Sequence, residues 1–136
     1  MVFLPSVPFS GRPVWNRSSI VGKSIEAIFP PTLSNPFPLD KRVAMIVLIE
    51  GCDRCKRVHA LHGNYARLGV EQVISIELAS DGRWTLRSHV TDETIDFQWP
   101  RGSDPYVMAP VAVIVDKGVI AEVLEADSLI RILTDD

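Results

Sequence analysis

The two cysteines of this chain stand three apart, in Cys52-Asp53-Arg54-Cys55. Sulfur at that spacing has two chemistries, thiol–disulfide exchange and metal ligation. The exchange reading rests on position. An apolar run ends just before Cys52 and a helical pattern begins just after it. A thiol at a helix start faces unpaired backbone N–H groups and the positive end of the helix dipole, and both favour the thiolate. Arg54, Lys56 and Arg57 act in the same direction and Asp53 acts against it. Arg54 is therefore expected to help lower the pKa of Cys52. Cys55 lies one turn deeper, where burial raises a thiol pKa. An exposed, more acidic thiol followed by a buried one gives an attacking and a resolving cysteine.

The metal alternative uses Cys52, Cys55, His59 and His62 in C-x2-C-x3-H-x2-H, a donor set that suits zinc. All four would sit on the first turns of one helix, however, and Cys55 to His62 is about 10 Å of helical rise. Structural zinc sites gather ligands from separate segments that converge. The expectation is therefore no metal and no cofactor, with His59 and His62 on a helix flank. His89 has no evident partner and reads as surface. A second feature is Pro110, which opens an apolar strand in Met108-Ala109-Pro110-Val111.

The elements that would hold these residues read as follows. Val43 to Ile49 is a continuous apolar run rich in β-branched residues, the pattern of a strand buried on both faces. Asp53 to Leu68 reads as a helix, with Val58, Leu61, Tyr65 and Leu68 at three- and four-residue steps and Gly69 as its stop. Val70 to Leu78 is a second strand, which completes a βαβ unit with parallel strands. Ser80 or Asp81 could cap a helix to about Val90, a reading that Gly82 weakens. Thr94 to Trp99 reads as a short edge strand. Val111 to Val115, the turn Asp116-Lys117-Gly118, and Val119 to Leu124 make a hairpin. A last helix starts at Ala126 or Asp127 and turns Leu129, Ile130, Ile132 and Leu133 inward. Before all this, residues 1–21 form an extended proline-rich arm, and 22–136 form one domain.

Composition limits the rest. At 136 residues, with 46% hydrophobic and 23% charged residues, the chain can bury a core without a staple. A formal net charge of −3 gives no general attraction to nucleic acid or anionic lipid. No apolar run reaches the roughly 20 residues a membrane helix needs. Lys41, Arg42, Arg54, Lys56 and Arg57 outnumber Glu50 and Asp53 within 41–57, whereas residues 119–136 are mainly acidic. This tally suggests a basic end near the reactive helix start, suited to an acidic partner.

With these residues in view, the chain resembles the thioredoxin superfamily, in its redoxin or TlpA-like branch. The resemblance runs from Gly22 to about Leu133. It rests on the Gly22-Lys23 entry, the buried strand Val43–Ile49, Cys52-x-x-Cys55, Pro110 and the Val115-Asp116-Lys117-Gly118 turn. It implies a thioredoxin fold, βαβ then ββα, with a central mixed sheet flanked by helices. It also implies a cis Pro110 beside the cysteine pair, and Gly51, Ala109 and Pro110 as substrate-binding residues. The chain departs from the family pattern in four places. Gly51 stands where an aromatic residue is usual, and Asp53-Arg54 fills the dipeptide. Ile46 and Val58 occupy positions that carry buried acids in some members, which leaves Glu50, solvent or the departing thiolate to deprotonate Cys55.

The leading function is thiol–disulfide exchange with a protein disulfide or dithiol. The alternatives are a non-catalytic binding module on the same fold, a zinc module and, weakest, a peroxidase. A monomer is expected, with no nucleic acid and with a membrane-tethered redox partner compatible with the branch. The resemblance implies a bacterial periplasmic or membrane-facing setting and leaves the cytoplasm open.

Overall fold

The computed structural model describes residues 20–25, 40–89, 93–99, 105 and 108–134. The expected arm therefore lies almost wholly outside the described residues. Six strands form one mixed sheet: β1 (Arg42–Ile49), β2 (Gln72–Leu78), β3 (Trp84–Ser88), β4 (Thr94–Phe97), β5 (Val111–Asp116) and β6 (Val119–Leu124), in the order β4-β3-β2-β1-β5-β6. β1 runs parallel to β2 and antiparallel to β5, and every other pairing is antiparallel. β1 is central and buried from Val43 to Leu48, as a strand covered on both faces must be.

Alternation along the strands separates two cores. Ala44, Ile46, Leu48, Val73, Ala112 and Ile114 face the helices and pack against Cys55, Val58, Tyr65, Leu129 and Leu133. Val43, Met45, Val47, Ile74, Ile76, Val113 and Val115 face the other way, onto Ile20, Ile25, Trp84, Phe97 and Trp99. Three helical segments lie on the first face. They are α1 (Asp53–Ala60), a 3-10 helix (His62–Leu68) and α2 (Ala126–Thr134). Residues 20–25 dock along β6, where Gly22 N–H donates to the Ile120 carbonyl at 2.8 Å and Ile25 N–H to that of Gly118 at 2.8 Å.

Two expectations need correction. The helix expected from Asp53 to Leu68 is broken at Leu61. Asn64 N–H bonds back to the Leu61 carbonyl at 2.8 Å, a 3-10 spacing, over a stretch containing Gly63 and Asn64. Both are poor helix formers. The Asn64 amide instead donates to the Leu133 carbonyl at 2.8 Å, satisfying an acceptor at the end of α2. The helix expected between Ser80 and Val90 is strand β3. Asp81 and Gly82 form a hairpin turn: Gly82 has φ +88°, and the Asp81 carboxylate accepts the Arg83 N–H at 3.0 Å. Beyond the turn, Trp84 and Leu86 are buried while Arg87 is exposed, a period of two.

The β5–β6 hairpin turns as expected. Lys117 and Gly118 have φ +54° and +81°, the pair of positive values that a two-residue turn matched to strand twist requires. In α2, Leu129 and Leu133 are buried, and Ile130 and Ile132 are half-buried. Among the described residues no helix is long and apolar enough to cross a membrane.

Candidate functional site

Strand β1 delivers the cysteine pair. Its chain leaves the sheet through Glu50 and Gly51, with Gly51 at φ +91°, a conformation that glycine adopts without steric cost. Cys52 follows as the N-cap of α1, with extended backbone (φ −91°, ψ 121°). Its Sγ accepts the backbone N–H of Cys55 at 3.2 Å, the bond that a capping serine or aspartate would make through oxygen. Cys52 is half-buried, whereas Cys55 is 2% exposed and belongs to the helix-side core. Both thiols are free. Burial, reinforced by the hydrogen bond with the Cys52 side chain, pushes the Cys55 thiol up to about 12; the Ile49 backbone and the Arg54 charge act the other way. The two sulfurs are thus unequal in access, and Cys55 stays protonated at neutral pH.

Pro110 is buried and immediately precedes β5; the Ala109–Pro110 bond is cis. Val111 pairs with Val47 in an antiparallel register, so the residues before Val111 run alongside those after Val47, towards Cys52. Ala109 and Cys52, both half-buried, pack against the same core. The structure therefore gathers Gly51, Cys52, Cys55, Ala109 and Pro110 at one end of the sheet.

Arg54 stands in the first turn of α1, and its charge acts to lower the pKa of the neighbouring Cys55 thiol. Its guanidinium is ion-paired with Asp127, in the first turn of α2. The expected charge polarity fails for a topological reason. Lys41 and Arg42 lie at the start of β1, eight residues of extended chain from the site, and Arg42 pairs with Asp116 at 3.3 Å. Because Leu124 pairs with Ala112, β6 ends on the cysteine side of the sheet, and it brings Glu125 and Asp127 there. Around the pair, Arg54, Lys56 and Arg57 face Glu50, Asp53, Glu125 and Asp127, a mixed surface and not a basic one.

The histidines form no converging donor set. His59 and His62 are exposed, their rings 5.9 Å apart, and His62 Nδ1 lies 3.1 Å from the His59 carbonyl. Among the described residues no group of three or more His, Cys, Asp or Glu side chains is arranged to hold a metal ion. His89, expected to lack a partner, has one: its Nε2 is hydrogen-bonded to Ser75 Oγ at 2.5 Å, and its ring stands edge-on to Tyr65 at 5.5 Å. Burial, then Arg87 and His62, hold its pKa below the usual histidine range.

Two carboxylates flank the site. Glu50, considered from sequence as a proton acceptor for Cys55, is engaged: its Oε1 accepts the Ser80 N–H at 2.8 Å. Glu77 escaped the sequence reading. It pairs with Leu48 in the β1–β2 register and with Thr85 across β3. With Val73 and Ser75 it occupies the helix-side positions of β2, and it lines a cavity together with Cys55. The only sequence signal was two polar residues, Ser75 and Glu77, alternating within an apolar strand. Compared with known proteins, the chain matches no family model, no curated protein and no solved structure.

Proposed function

We propose that this chain is a thiol–disulfide oxidoreductase with a thioredoxin-like fold, which exchanges a Cys52–Cys55 dithiol or disulfide with a protein partner. The observation that carries the reading is the asymmetry of the pair. The half-buried Cys52 sulfur caps the helix, and the Cys55 sulfur is buried one turn behind it with its pKa pushed up to about 12. The element order supports it too: β1-α1-β2 followed by β5-β6-α2 is a βαβ half and a ββα half. The β3–β4 hairpin, which lies between them in the chain, extends the sheet outward from β2.

In the reduced protein the Cys52 thiolate attacks one sulfur of a partner disulfide. A Cys52–partner disulfide forms, and the partner's other sulfur leaves with the bonding electrons and takes up a proton. Cys55 then gives up its proton and attacks the Cys52 sulfur. The Cys52–Cys55 bond forms and the partner's second thiolate departs, so two electrons have passed to the partner. The reverse sequence oxidises a partner dithiol. The high pKa of Cys55 keeps it from competing in the first attack and makes its deprotonation a distinct step. Ala109, at the entry to β5, offers backbone groups to an extended partner segment, as strand addition requires.

The test is reduction of insulin disulfides by dithiothreitol, with and without the protein. Wild type should accelerate it, Cys52→Ser should not, and Cys55→Ser should accumulate a mixed disulfide with the substrate. Acceleration by Cys52→Ser equal to that of wild type would overturn the proposal.

A further inference from the structure

Beside Cys55 the carboxyl ends of β1 and β2 part from α1 and leave a cavity of about 380 Å3. Crevices of this kind form at the carboxyl ends of parallel strands, where successive connections diverge. The size is at the small end of ligand cavities, which run from about 300 to 1,000 Å3, and suits one long side chain. Leu48 and Ala79 give it apolar walls, and Glu77 supplies a carboxylate beside them.

Glu77 is half-buried and, among the described residues, makes no hydrogen bond and no ion pair. Its charge acts on the neighbouring His89 and Tyr65, and a carboxylate partly removed from water attracts a cation more strongly than a fully wet one does. Lys56 and His59 stand on the helix side of the same cavity, but both are exposed. Solvent and salt screen exposed charges much more than half-buried ones. Glu50, the other lining carboxylate, is likewise exposed and accepts the Ser80 N–H, so the ionic preference of the cavity is set chiefly by Glu77.

Gly51, immediately before Cys52, lines this cavity, and a Cβ built on it would meet nothing within 4 Å. No side chain stands at that position between Cys52 and the cavity. We infer that the cavity is a specificity subsite for a long cationic side chain, lysine or arginine, flanking the reactive cysteine of the partner polypeptide. The inference rests on the exchange reading above and adds the partner's chemistry to it. The methylene stem lies against Leu48 and Ala79, and the charged head meets Glu77.

The test uses the reduced full chain and short peptides whose single cysteine is in mixed disulfide with thionitrobenzoate, with lysine, arginine, norleucine or glutamate beside the cysteine. Cys52 attacks the peptide sulfur, a Cys52–peptide disulfide forms, and thionitrobenzoate leaves as the coloured thiolate. Lysine and arginine peptides should react about fivefold to tenfold faster than the norleucine peptide at low salt, as expected for a partly buried ion pair. Glu77→Gln should bring them to the norleucine rate. Glu122→Gln, on exposed β6, removes the same net charge away from the cavity and should leave the preference intact. Equal rates for lysine and norleucine, a faster glutamate peptide, a preference surviving Glu77→Gln, or one lost in Glu122→Gln would each overturn the subsite while leaving the exchange reading standing. Release of thionitrobenzoate by Cys52→Ser at the wild-type rate would instead overturn the exchange reading itself.

Discussion

The inequality of the two thiols can be measured directly by alkylating the reduced protein with iodoacetamide. Burial pushes Cys55 from the ordinary 9.0 to about 12. Three units correspond to about 4 kcal/mol between its two protonation states. At pH 8 about one Cys55 in ten is ionised in the unfolded chain and about one in ten thousand in the folded one, a loss of about 1,000-fold in thiolate. The thiolate that does form is intrinsically more nucleophilic, and a Brønsted slope of about 0.45 over three units returns about 20-fold. Ionisation alone then slows Cys55 about 50-fold, before its 2% exposure is considered. Mass spectrometry of digests from a time course, folded against urea-unfolded, reads both sites at once. Cys52 should be modified first, and folded Cys55 at least about 50-fold slower than the same residue unfolded. Its rate should still climb steeply past pH 9. Alkylation of Cys55 ahead of Cys52, or at a rate within a few-fold of the unfolded value, would refute the reasoning.

Three further outcomes follow from the same structure. Cys55, and Tyr65, which burial and then Glu77 push up to about 12, both ionise earlier in the unfolded chain than in the folded one. The unfolded state therefore binds fewer protons, and the reduced protein should hold this stability below about pH 9 and lose it between about pH 9 and 12, at up to about 1.4 kcal/mol per pH unit per group. Urea unfolding across that range checks it, and Cys55→Ser should flatten the lower part of the slope. Arg54→Ala should cost less than about 1 kcal/mol in urea unfolding, because the Arg54–Asp127 pair is 54% and 90% exposed. Exchange with an acidic peptide disulfide should gain nothing as salt is lowered from about 1 M to about 0.1 M, although the Debye length grows from ~3 to ~10 Å, since the surface around Cys52 carries both signs. A rate that rises steeply would restore the basic end suggested by sequence.

What could be read from the sequence was local. Strand β1 announces itself as seven apolar residues between charged flanks, the β5–β6 turn as Lys117-Gly118, and the cysteine pair by standing where strand gives way to helix. The misread segments had local signals that pointed two ways. Ser80-Asp81-Gly82 can open a helix or close a hairpin, and strand pairing of Leu78 with Trp84 decides it. Leu61 to Leu68 keeps a helical apolar spacing but contains Gly63 and Asn64, and the Asn64 side chain is spent on Leu133. The site's long-range partners could not be read at all. Arg54 meets Asp127 across 73 positions, and Glu77 reaches the cavity only because the β1–β2 register sets it opposite Leu48. Counting charges along 41–57 treated as neighbours residues that eight positions of extended strand hold apart.

That same topology explains how an eight-residue helix can hold the Cys52 sulfur in a fixed place. Isolated helices shorter than about 12 residues are marginal in water, so α1 does not stand by its own propensity. Cys55 and Val58 anchor it in the core against β1, Tyr65 OH reaches the Val58 carbonyl at 3.4 Å, and Arg54 ties its first turn to α2. Cys52 completes the helix by capping it, so the atom that would attack is also the one that satisfies the Cys55 N–H. Anchoring is thus concentrated on the buried side of the helix. Just before the cap, Gly51 carries no side chain. A partner's sulfur can approach there while the geometry between Cys52 and Cys55 is maintained from behind, through contacts that the reaction does not break.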